Sequence, residues 1–309
     1  MALLILFTNR DPQTWEHALH SIDPKLDIRV WPDSGDPAEI DFVLAWNHPA
    51  GELRQFPNLC CVQSLGAGVD HILRDPDLPK DVIVARIVDR LLVDSMTRYL
   101  TTVVLHHISH FKAYYEQQRL KHWQPHAQID PKVKTVGIMG LGQLGSAAAQ
   151  AFQIMGFPVC GWSRTQKSLE GIRSFASKGQ LPVFLAHTDI LICLLPLTAA
   201  TENILNTENF CRLKSGAYLI NVARGRHLVD ADLLEALDSG QLSGACLDVF
   251  RTEPLPPDHP FWRHPKITMT PHISSITDPQ AAAWQIVENY RRMQEGKALL
   301  NVVDAERGY

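Results

Sequence analysis

Charge of one sign is nowhere concentrated in this sequence, and this bounds the partners to be expected. Lys and Arg number 29 and Asp and Glu 33, so the formal net charge is −4, with the two signs interspersed. Proteins that bind nucleic acid or an anionic membrane surface usually carry a basic patch or stripe. We therefore expect small-molecule partners, and neither nucleic acid nor a membrane.

A cysteine pattern typical of a metal site or of disulfides is also missing. The six cysteines contain no CxxC pair and lie mostly within apolar runs: Cys60, Cys61, Cys160, Cys193, Cys211 and Cys246. Such a distribution suits buried thiols in a reducing compartment, so we expect a cytoplasmic protein. His106 and His110 have helical spacing but no acidic or cysteine partner, and we predict no metal.

Long hydrophobic runs are scarce as well. The opening "MALLILF" has no basic region and reaches polar Thr8 after seven residues, which is short for a signal peptide or a membrane span. We interpret it as a first strand. With 309 residues, 45% of them hydrophobic, the chain has the length of about two domains.

Short apolar runs alternate with polar or helical segments, which is typical of parallel α/β sheets. One series, with "ALLILF", "FVLAW" and "VIVAR", occupies residues 1–88, and a second begins at "KTVGIMG" and ends at "KITMTP". The pattern of apolar positions in residues 93–120 predicts one long helix between the two series. The last helical stretch, residues 279–296, is predicted to pack back on the first series. The predicted fold class is therefore α/β, with two doubly wound parallel sheets.

A glycine-rich turn provides the first chemical signal. "GIMGLGQLG" places Gly140, Gly142 and Gly145 in a G-x-G-x-x-G pattern, after the strand "KTVGIM" and before a helix. Glycines there allow a tight turn and close backbone approach to a pyrophosphate, while the helix N-terminus offers free N–H groups. We predict a dinucleotide at this turn, with Leu141, Gln143 and Leu144 contributing; a purely structural turn is the alternative.

The end of the next strand indicates which dinucleotide. NAD-selective folds place an Asp or Glu about 20 residues after the glycines to bind the ribose 2′-hydroxyl. Here "VCGWSRTQK" has no carboxylate but offers Ser163, Arg164 and Thr165, with Lys167 close behind. A guanidinium and a hydroxyl can bind a 2′-phosphate, so NADP(H) is the predicted cofactor; an ordinary solvated turn is the alternative.

Polar residues, glycine or proline follow the predicted strands of the second series. Ligands of open parallel sheets bind outside the carboxyl ends of the strands, where this sequence has Gly140, Ser163, Pro196, Arg224, Asp248 and His272. Arg224 is suited to hold an anionic substrate by paired hydrogen bonds. His272 can give or take a proton, and Glu253 can orient its ring and favour its charged form. Taken singly, an arginine in a turn and a lone histidine have no such meaning.

The motifs "GLGQLG", "LLPLTAAT", "NVARG", "LDVFRTEPLP" and "TPHISS", in this order, resemble the D-isomer-specific 2-hydroxyacid dehydrogenases. "SLGAGVDHI", "WSRT" and the terminal "VDAERGY" more narrowly resemble the bacterial glyoxylate/hydroxypyruvate reductase A group. The resemblance implies that Arg224 anchors the substrate, Glu253 partners the histidine and His272 is the acid/base. It also places Asp248 near the nicotinamide carboxamide, and Pro196, Val222 and Ala223 beside the cofactor.

The same resemblance implies a domain arrangement. A Rossmann NADP-binding domain, residues 99–276, would be inserted into a flavodoxin-like substrate domain of residues 1–98 and 277–309, and the protein would be a homodimer. Arg98 in "SMTRYL" stands where many relatives have an acidic residue, which puts one local contact in doubt.

The substrate domain offers a second substrate contact. In "LGAGVD", the N–H groups around Ala67, Gly68 and Val69 could form an anion-binding nest, or simply a strand-to-helix turn; the family resemblance favours carboxylate binding. Trp46 in "LAWNHP" could close the pocket against larger substrates, although an aromatic residue at a strand end is more often packing.

The predicted function is NADPH-dependent reduction of small 2-oxo acids, with glyoxylate and hydroxypyruvate as the expected substrates. A formate dehydrogenase on the same scaffold needs no acid/base, so the Glu253 and His272 pair argues against it. A nucleotide-sensing corepressor-like binding protein is the alternative outside enzymes, and the absence of a basic or disordered regulatory extension disfavours it. The sequence does not rank glyoxylate, hydroxypyruvate, pyruvate and phenylpyruvate.

Overall fold

The computed structural model describes residues 1–8 and 10–304 and divides the chain into two compact units. Unit 1 is Met1–Leu92 with Ile276–Tyr309, and unit 2 is Val93–Ser275. The last five residues of the "VDAERGY" motif, 305–309, lie outside the described residues.

Strands and helices alternate along the chain. The strands are β1 (Ala2–Phe7), β2 (Ile28–Val30), β3 (Ile40–Trp46), β4 (Cys61–Ser64), β5 (Ile83–Ala85), β6 (Val136–Met139), β7 (Val159–Ser163), β8 (Arg173–Ala176), β9 (Ile190–Cys193), β10 (Ala217–Asn221), β11 (Leu242–Leu247) and β12 (Ile267–Met269). The α-helices are α1 (Pro12–Ile22), α2 (Asp70–Leu73), α3 (Arg90–Ile108), α4 (Phe111–Arg119), α5 (Gln143–Ile154), α6 (Ser177–Ala186), α7 (Thr207–Phe210), α8 (Asp230–Asp238) and α9 (Pro279–Gln294).

Unit 1 is built on a five-stranded parallel sheet in the order β2-β1-β3-β4-β5, the flavodoxin-like order. All six residues of β1 are buried, as expected for a strand covered on both faces. Helix α9 packs beside α1, and Asn289 on α9 donates to the Gln63 side chain at 2.9 Å. The C-terminal helix is therefore an integral part of unit 1.

Unit 2 contains a seven-stranded parallel sheet in the order β12-β11-β10-β9-β6-β7-β8. The chain winds outwards from β6 to β8, returns to the other side of β6 at β9, and continues to β12. The order reverses between β6 and β9, which is the switch point where doubly wound sheets bind ligands. The predicted fold class of two parallel-sheet α/β domains is confirmed.

Two predicted boundaries differ from the structure. The chain passes from one unit to the other at 92/93 and 275/276, whereas the predicted bounds are 98/99 and 276/277, because Met96 on α3 already packs into the same hydrophobic cluster as Ile138 and Phe152 of unit 2.

The predicted single helix over 93–120 is two helices, because His110 takes a left-handed conformation, with φ of 59°, between α3 and α4.

Across residues 1–8 and 10–304, no group of three or more His, Cys, Asp or Glu side chains is arranged to hold a metal ion. No helix within these residues is long and apolar enough to cross a bilayer. His106 stacks on Phe111, and the His110 ring contacts the Ala127 carbonyl, so both histidines are engaged locally.

Candidate active site

The three glycines of the turn after β6 have different structural roles. Gly140 has a φ of 104°, which side-chain-bearing residues rarely adopt. A Cβ on Gly145 would lie 1.8 Å from the Gly140 carbonyl oxygen, so only glycine lets α5 approach the turn so closely. A Cβ on Gly142 would meet nothing within 4 Å. Gly142 caps α5 without a side-chain hydrogen bond, so no capping side chain covers the helix N-terminus, where an anion can accept backbone hydrogen bonds.

The side chain of Leu141 points away from the open space beside Gly142. It is buried and packs over Gly161, where a Cβ would lie 2.5 Å from Leu141 Cδ2. Gln143 is exposed on the first turn of α5, and Leu144 packs against the core. The predicted contact at Leu141 is therefore available only through its backbone.

The end of β7 presents the residues predicted to select the dinucleotide. Ser163 is buried, and its hydroxyl donates to the Thr165 carbonyl at 2.8 Å, which fixes the turn after the strand. Arg164 and Thr165 are exposed. Because β7 lies next to β6 in the sheet, this turn and the glycine turn share the same carboxyl edge.

Arg224 is presented by a rigid loop after β10. Its carbonyl oxygen accepts hydrogen bonds from the Asn221 side chain at 3.1 Å and from the backbone N–H of His227 at 3.2 Å. The guanidinium Nη1 donates to the Ala223 carbonyl at 2.7 Å. Val222 and Ala223 are buried before it, and the Pro196 carbonyl after β9 accepts from Thr201. These hydrogen bonds thus hold the Arg224 backbone and side chain at the sheet edge.

Gly225 brings the arginine loop against the loop that carries Glu253. A Cβ on Gly225 would lie 1.9 Å from the Phe250 carbonyl carbon and 2.3 Å from Arg251 N. The two backbones can pass at this distance only because residue 225 has no side chain. Gly225 is therefore needed because it lets the loop that carries Glu253 approach the arginine loop.

Glu253 and His272 form a direct pair. Glu253 Oε2 lies 2.7 Å from His272 Nδ1, and Oε1 accepts from the Phe250 N–H at 2.9 Å. Burial alone would raise the pKa of Glu253, but hydrogen bonds from His272 and Phe250 and the charges of His272 and Arg224 lower it below its usual value. The structure thus brings Arg224, Glu253 and His272 together, with the histidine side chain 34% exposed.

His272 occupies a constrained backbone position. Its φ is 55°, in the left-handed region that only a few per cent of non-glycine residues adopt, histidine more often than most. Its N–H donates to the Asp248 carbonyl at 2.9 Å, which ties the loop to the end of β11. Such a conformation persists only where surrounding contacts determine it.

Asp248 provides those contacts. Its carboxylate is completely buried and accepts hydrogen bonds from the Ile273 N–H and the Ser274 N–H, both at 2.8 Å, and from the Thr270 hydroxyl at 2.5 Å. Tyr99 on α3 extends the network, with its hydroxyl 2.6 Å from Thr270 Oγ1. These bonds show that the side chain holds the histidine loop, and the position of Asp248 near the nicotinamide carboxamide stays a prediction.

Unit 1 has its own polar edge after β4. The Ser64 hydroxyl donates to the Gly68 carbonyl at 2.7 Å, which shapes the turn "LGAGVD". Within the described residues, the N–H groups of Ala67 and Gly68 make no hydrogen bond, and both residues are partly exposed. The ring of Trp46 packs against Gly66, where a Cβ would lie 3.1 Å from Trp46 Cζ3. The predicted anion nest and Trp46 are thus neighbours at one sheet edge.

Sequence reasoning missed several residues that shape these sites. Thr270 and Tyr99 support the histidine loop, and Arg10 stacks on Trp46 with its guanidinium carbon 4.8 Å from the ring centroid. No motif in the sequence indicated these contacts. The glycine after Arg224 was a visible signal, but its partner at Phe250 was not.

Comparison with known proteins identifies the family. The family model "D-isomer specific 2-hydroxyacid dehydrogenase, NAD binding domain" matches residues 101–274. The chain is 41% identical to a D-isomer specific 2-hydroxyacid dehydrogenase from Xanthobacter autotrophicus Py2, solved with NADPH and MES, with a TM-score of 0.94 over 100% of this chain and 99% of that one.

Two further solved structures are similar over the whole chain. An NADPH-dependent glyoxylate/hydroxypyruvate reductase from Sinorhizobium meliloti, solved with NADP and sulfate, is 36% identical, with a TM-score of 0.94 and 100% of both chains covered. A probable 2-hydroxyacid dehydrogenase from Rhizobium etli CFN 42, solved with NADP, HEPES and L(+)-tartaric acid, is 34% identical, with a TM-score of 0.91 over 100% of this chain and 99% of that one. The resemblance seen in the sequence motifs is confirmed: this chain belongs to the D-isomer-specific 2-hydroxyacid dehydrogenases.

Proposed function

We propose that this protein reduces small 2-oxo acids to 2-hydroxy acids with NADPH, and that glyoxylate and hydroxypyruvate are among its substrates. The observation that carries the proposal is the convergence of Arg224, Glu253 and His272, with Glu253 Oε2 at 2.7 Å from His272 Nδ1. An anion-binding guanidinium beside an oriented acid/base is the chemistry that reduction of a 2-oxo acid requires.

NADP(H) is the proposed cofactor. The open N-terminus of α5 at Gly142 fits the diphosphate, and the exposed Arg164 fits a 2′-phosphate. Three similar proteins were solved with NADPH or NADP, which supports the same choice here. When bound, the cofactor supplies the hydride that reduces the carbonyl carbon. The protein's own residues bind the substrate and transfer the proton.

Arg224 is proposed to hold the substrate carboxylate and carbonyl oxygen through the two sides of its planar guanidinium. His272 donates the proton that converts the carbonyl oxygen into a hydroxyl, using Nε2, because Nδ1 faces Glu253. Glu253 accepts the Nδ1 hydrogen bond, fixes the ring orientation and stabilises the charged imidazole. In the oxidative direction, neutral His272 takes the proton back from the hydroxyl.

Unit 1 contributes proposed substrate contacts of its own. The N–H groups of Ala67 and Gly68, which have no hydrogen bond within the described residues, are suited to donate to a carboxylate. Trp46 is proposed to limit substrate size, because its ring covers Gly66 beside that turn.

The test of the proposal is a steady-state assay with glyoxylate and NADPH. Turnover with a KM in the usual range supports an enzyme, whereas cofactor binding without turnover would support the corepressor-like alternative. Formate supplied with NADP tests the formate dehydrogenase alternative, which the Glu253 and His272 pair disfavours. A panel of hydroxypyruvate, pyruvate and phenylpyruvate at fixed NADPH then ranks the substrates.

Alanine at Gly142 and at Gly145 should have different effects. At Gly142, the new methyl group enters open space, so we expect thermal stability within a few degrees of wild type but NADPH affinity at least about tenfold weaker. At Gly145, the methyl group meets the Gly140 carbonyl, so folding stability itself should fall. Differential scanning fluorimetry and NADPH titration by fluorescence separate the two effects. Unchanged NADPH affinity in Gly142→Ala would contradict the assigned diphosphate site.

Arg164→Ala should weaken NADPH selectively. Loss of a charge-assisted hydrogen bond to the 2′-phosphate should raise the KM for NADPH roughly tenfold and leave that for NADH nearly unchanged. Arg212→Ala is the matched control, because Arg212 is a surface arginine paired with Glu208 on α7. Steady-state kinetics with both cofactors provide the measurement. Equal kcat/KM for NADPH and NADH in the wild-type protein would refute the assignment.

A homodimer is proposed on the family resemblance and on an exposed apolar surface in unit 2. This surface follows α3 and comprises Phe111, Tyr115, Leu120 and Trp123, the last 99% exposed. A second copy of the chain would cover it. A cytoplasmic location is proposed because four of the six cysteines are buried free thiols.

A further inference from the structure

Arg10 is a partly buried cation without a described acidic partner. It follows β1, and its guanidinium carbon lies 4.8 Å from the centroid of the Trp46 ring. Burial lowers the pKa of Arg10. Within residues 1–8 and 10–304, no ion pair or hydrogen bond to Arg10 is present. Partial burial of a cation is costly unless an anion accompanies it, so this arrangement calls for a negatively charged partner.

The position of Arg10 is that of a ligand-binding residue. Three neighbouring strands of unit 1, β1, β3 and β4, end at the same edge of the sheet. Arg10 follows the first, Trp46 ends the second, and Ala67 and Gly68 follow the third. Ligands of parallel sheets bind at this edge. Arg10 therefore shares an edge with the two unbonded N–H groups of the proposed carboxylate nest.

Trp46 fixes the guanidinium in place. Its ring lies against Gly66, is tilted against the His71 ring with centroids 4.7 Å apart, and has the Arg10 guanidinium carbon 4.8 Å from its centroid. The Thr8 hydroxyl donates to the Asn47 carbonyl at 3.3 Å and ties the loop after β1 to the loop after β3. A guanidinium above an aromatic ring can still donate its N–H groups to an anion's oxygen atoms.

The buried carboxylate of Asp75 in unit 1 is already engaged by other groups. Asp75 is buried and accepts from the Gly51 N–H at 3.1 Å, from the Asp77 N–H at 3.0 Å and from His48 Nε2 at 3.1 Å. These bonds, and the burial of both side chains of the Asp75 and His48 pair, keep Asp75 engaged away from Arg10. Since no ion pair within residues 1–8 and 10–304 involves Arg10, a bound anion can supply its counter-charge.

We propose that Arg10 is a specificity-determining residue that binds a second anionic group, at the end of the substrate remote from the reacting carbonyl. This inference rests on the proposed function. The substrate class is a 2-oxo acid with a distal carboxylate or phosphate ester. Its first carboxylate accepts hydrogen bonds from the Ala67 and Gly68 turn, and the distal oxygens accept hydrogen bonds from the Arg10 guanidinium at the same sheet edge.

Two matched substrate pairs test the inference on the wild-type protein. Oxaloacetate is pyruvate with an added carboxylate, and 3-phosphohydroxypyruvate is hydroxypyruvate with an added phosphate. With NADPH saturating and oxaloacetate freshly dissolved, kcat/KM should be higher for the charged member of at least one pair. A preference in the first pair alone identifies a carboxylate, and one in the second pair alone a phosphate ester. This comparison requires no variant.

Variants then assign the preference to Arg10. Arg10→Met keeps a long side chain over Trp46 without the charge, and the charged-to-uncharged kcat/KM ratio should fall at least about tenfold. Arg10→Lys keeps the charge but loses the planar fork, so it should restore part of the ratio. Arg54→Met removes an exposed arginine of the same unit, paired with Asp77, and should leave the ratio unchanged.

The outcomes separate this inference from the proposed function. If the wild-type protein reduces no 2-oxo acid with NADPH, both are overturned. If it reduces glyoxylate but prefers the uncharged member of both pairs, or if Arg10→Met leaves the ratio unchanged, the inference is overturned and the proposed function remains. A wild-type preference that falls in Arg10→Met and persists in Arg54→Met supports it.

Discussion

Replacing His272 with alanine should lower kcat for glyoxylate reduction by roughly 10²- to 10⁴-fold, the range that general acid catalysis contributes. Nε2 of this histidine is the proposed proton donor, and Glu253 holds the ring through Nδ1 at 2.7 Å. Glycolate oxidation should fall by a similar factor, because the same group accepts the proton. The measurement is kcat in both directions with NADPH or NADP saturating. A fully active variant would remove the proposed mechanism.

Glu253→Gln provides the control that separates charge from position. The lowered pKa of Glu253 means that its carboxylate is ionised throughout the neutral range and acts on His272 there. Glutamine keeps the size and can still accept a hydrogen bond from Nδ1, but it removes the negative charge beside the ring. We therefore expect kcat/KM for reduction at neutral pH to fall roughly tenfold, because the charge-assisted hydrogen bond to the proton donor is lost. An unchanged kcat/KM in Glu253→Gln would show that the charge has no such role.

The lowered pKa of Glu253 also determines how the stability of the folded protein depends on pH. Because the pKa of Glu253 is lowered in the folded protein, its ionised form favours folding. This contribution is fully present above the usual pKa of a glutamate, and it is lost as pH falls through the lowered value. Glu253→Gln should therefore remove a stabilisation that wild type shows at neutral pH and lacks in strong acid.

Arg224→Lys should reduce kcat/KM for glyoxylate by roughly ten- to a hundredfold although the charge is kept. Lysine cannot form the paired, planar hydrogen bonds through which Arg224 is proposed to hold the carboxylate and carbonyl oxygens. NADPH affinity should be retained, because the glycine turn and Arg164 are unchanged. The measurement is steady-state kinetics with a parallel NADPH titration.

Arg226→Lys is the matched control for this substitution. Arg226 lies two residues further along the same loop, but its side chain pairs with Glu202 at 2.9 Å. It should therefore tolerate lysine with little change in kcat/KM. Equal losses in both variants would point to damage to the loop, and a wild-type rate in Arg224→Lys would show that Arg224 is not a bidentate anchor.

The parallel sheets and their ligand-binding edges could be predicted because each strand has its own local signal. Buried runs such as β1 and β10 are short, apolar and followed by small or polar residues, so the chain order of strand ends was visible. Sheet order then follows from general rules of parallel folds, and the glycine spacing marks the switch point. Arg224, Glu253 and His272 were accessible to this reasoning because each follows a recognisable strand or motif.

The contacts that hold the site could not be predicted, because they join residues far apart in sequence. Tyr99 reaches Thr270, and Gly225 passes the Phe250 backbone, through packing that no local pattern records. Asp248 has the sequence position of a ligand-facing residue, yet its carboxylate turns inwards to three donors of the histidine loop. The helix break at His110 and the stacking of Arg10 on Trp46 also depend on tertiary packing.

The insertion of unit 2 into unit 1 has a consequence for synthesis on the ribosome. Unit 1 needs α9 beside α1 and the Asn289 hydrogen bond to Gln63, yet residues 93–275 must be translated before α9 exists. At roughly 5–20 residues per second, the first five strands wait roughly ten to forty seconds for their last helix. During this interval the α9-facing surface of the nascent chain is uncovered and open to chaperones, while unit 2, being contiguous, can fold as soon as it emerges.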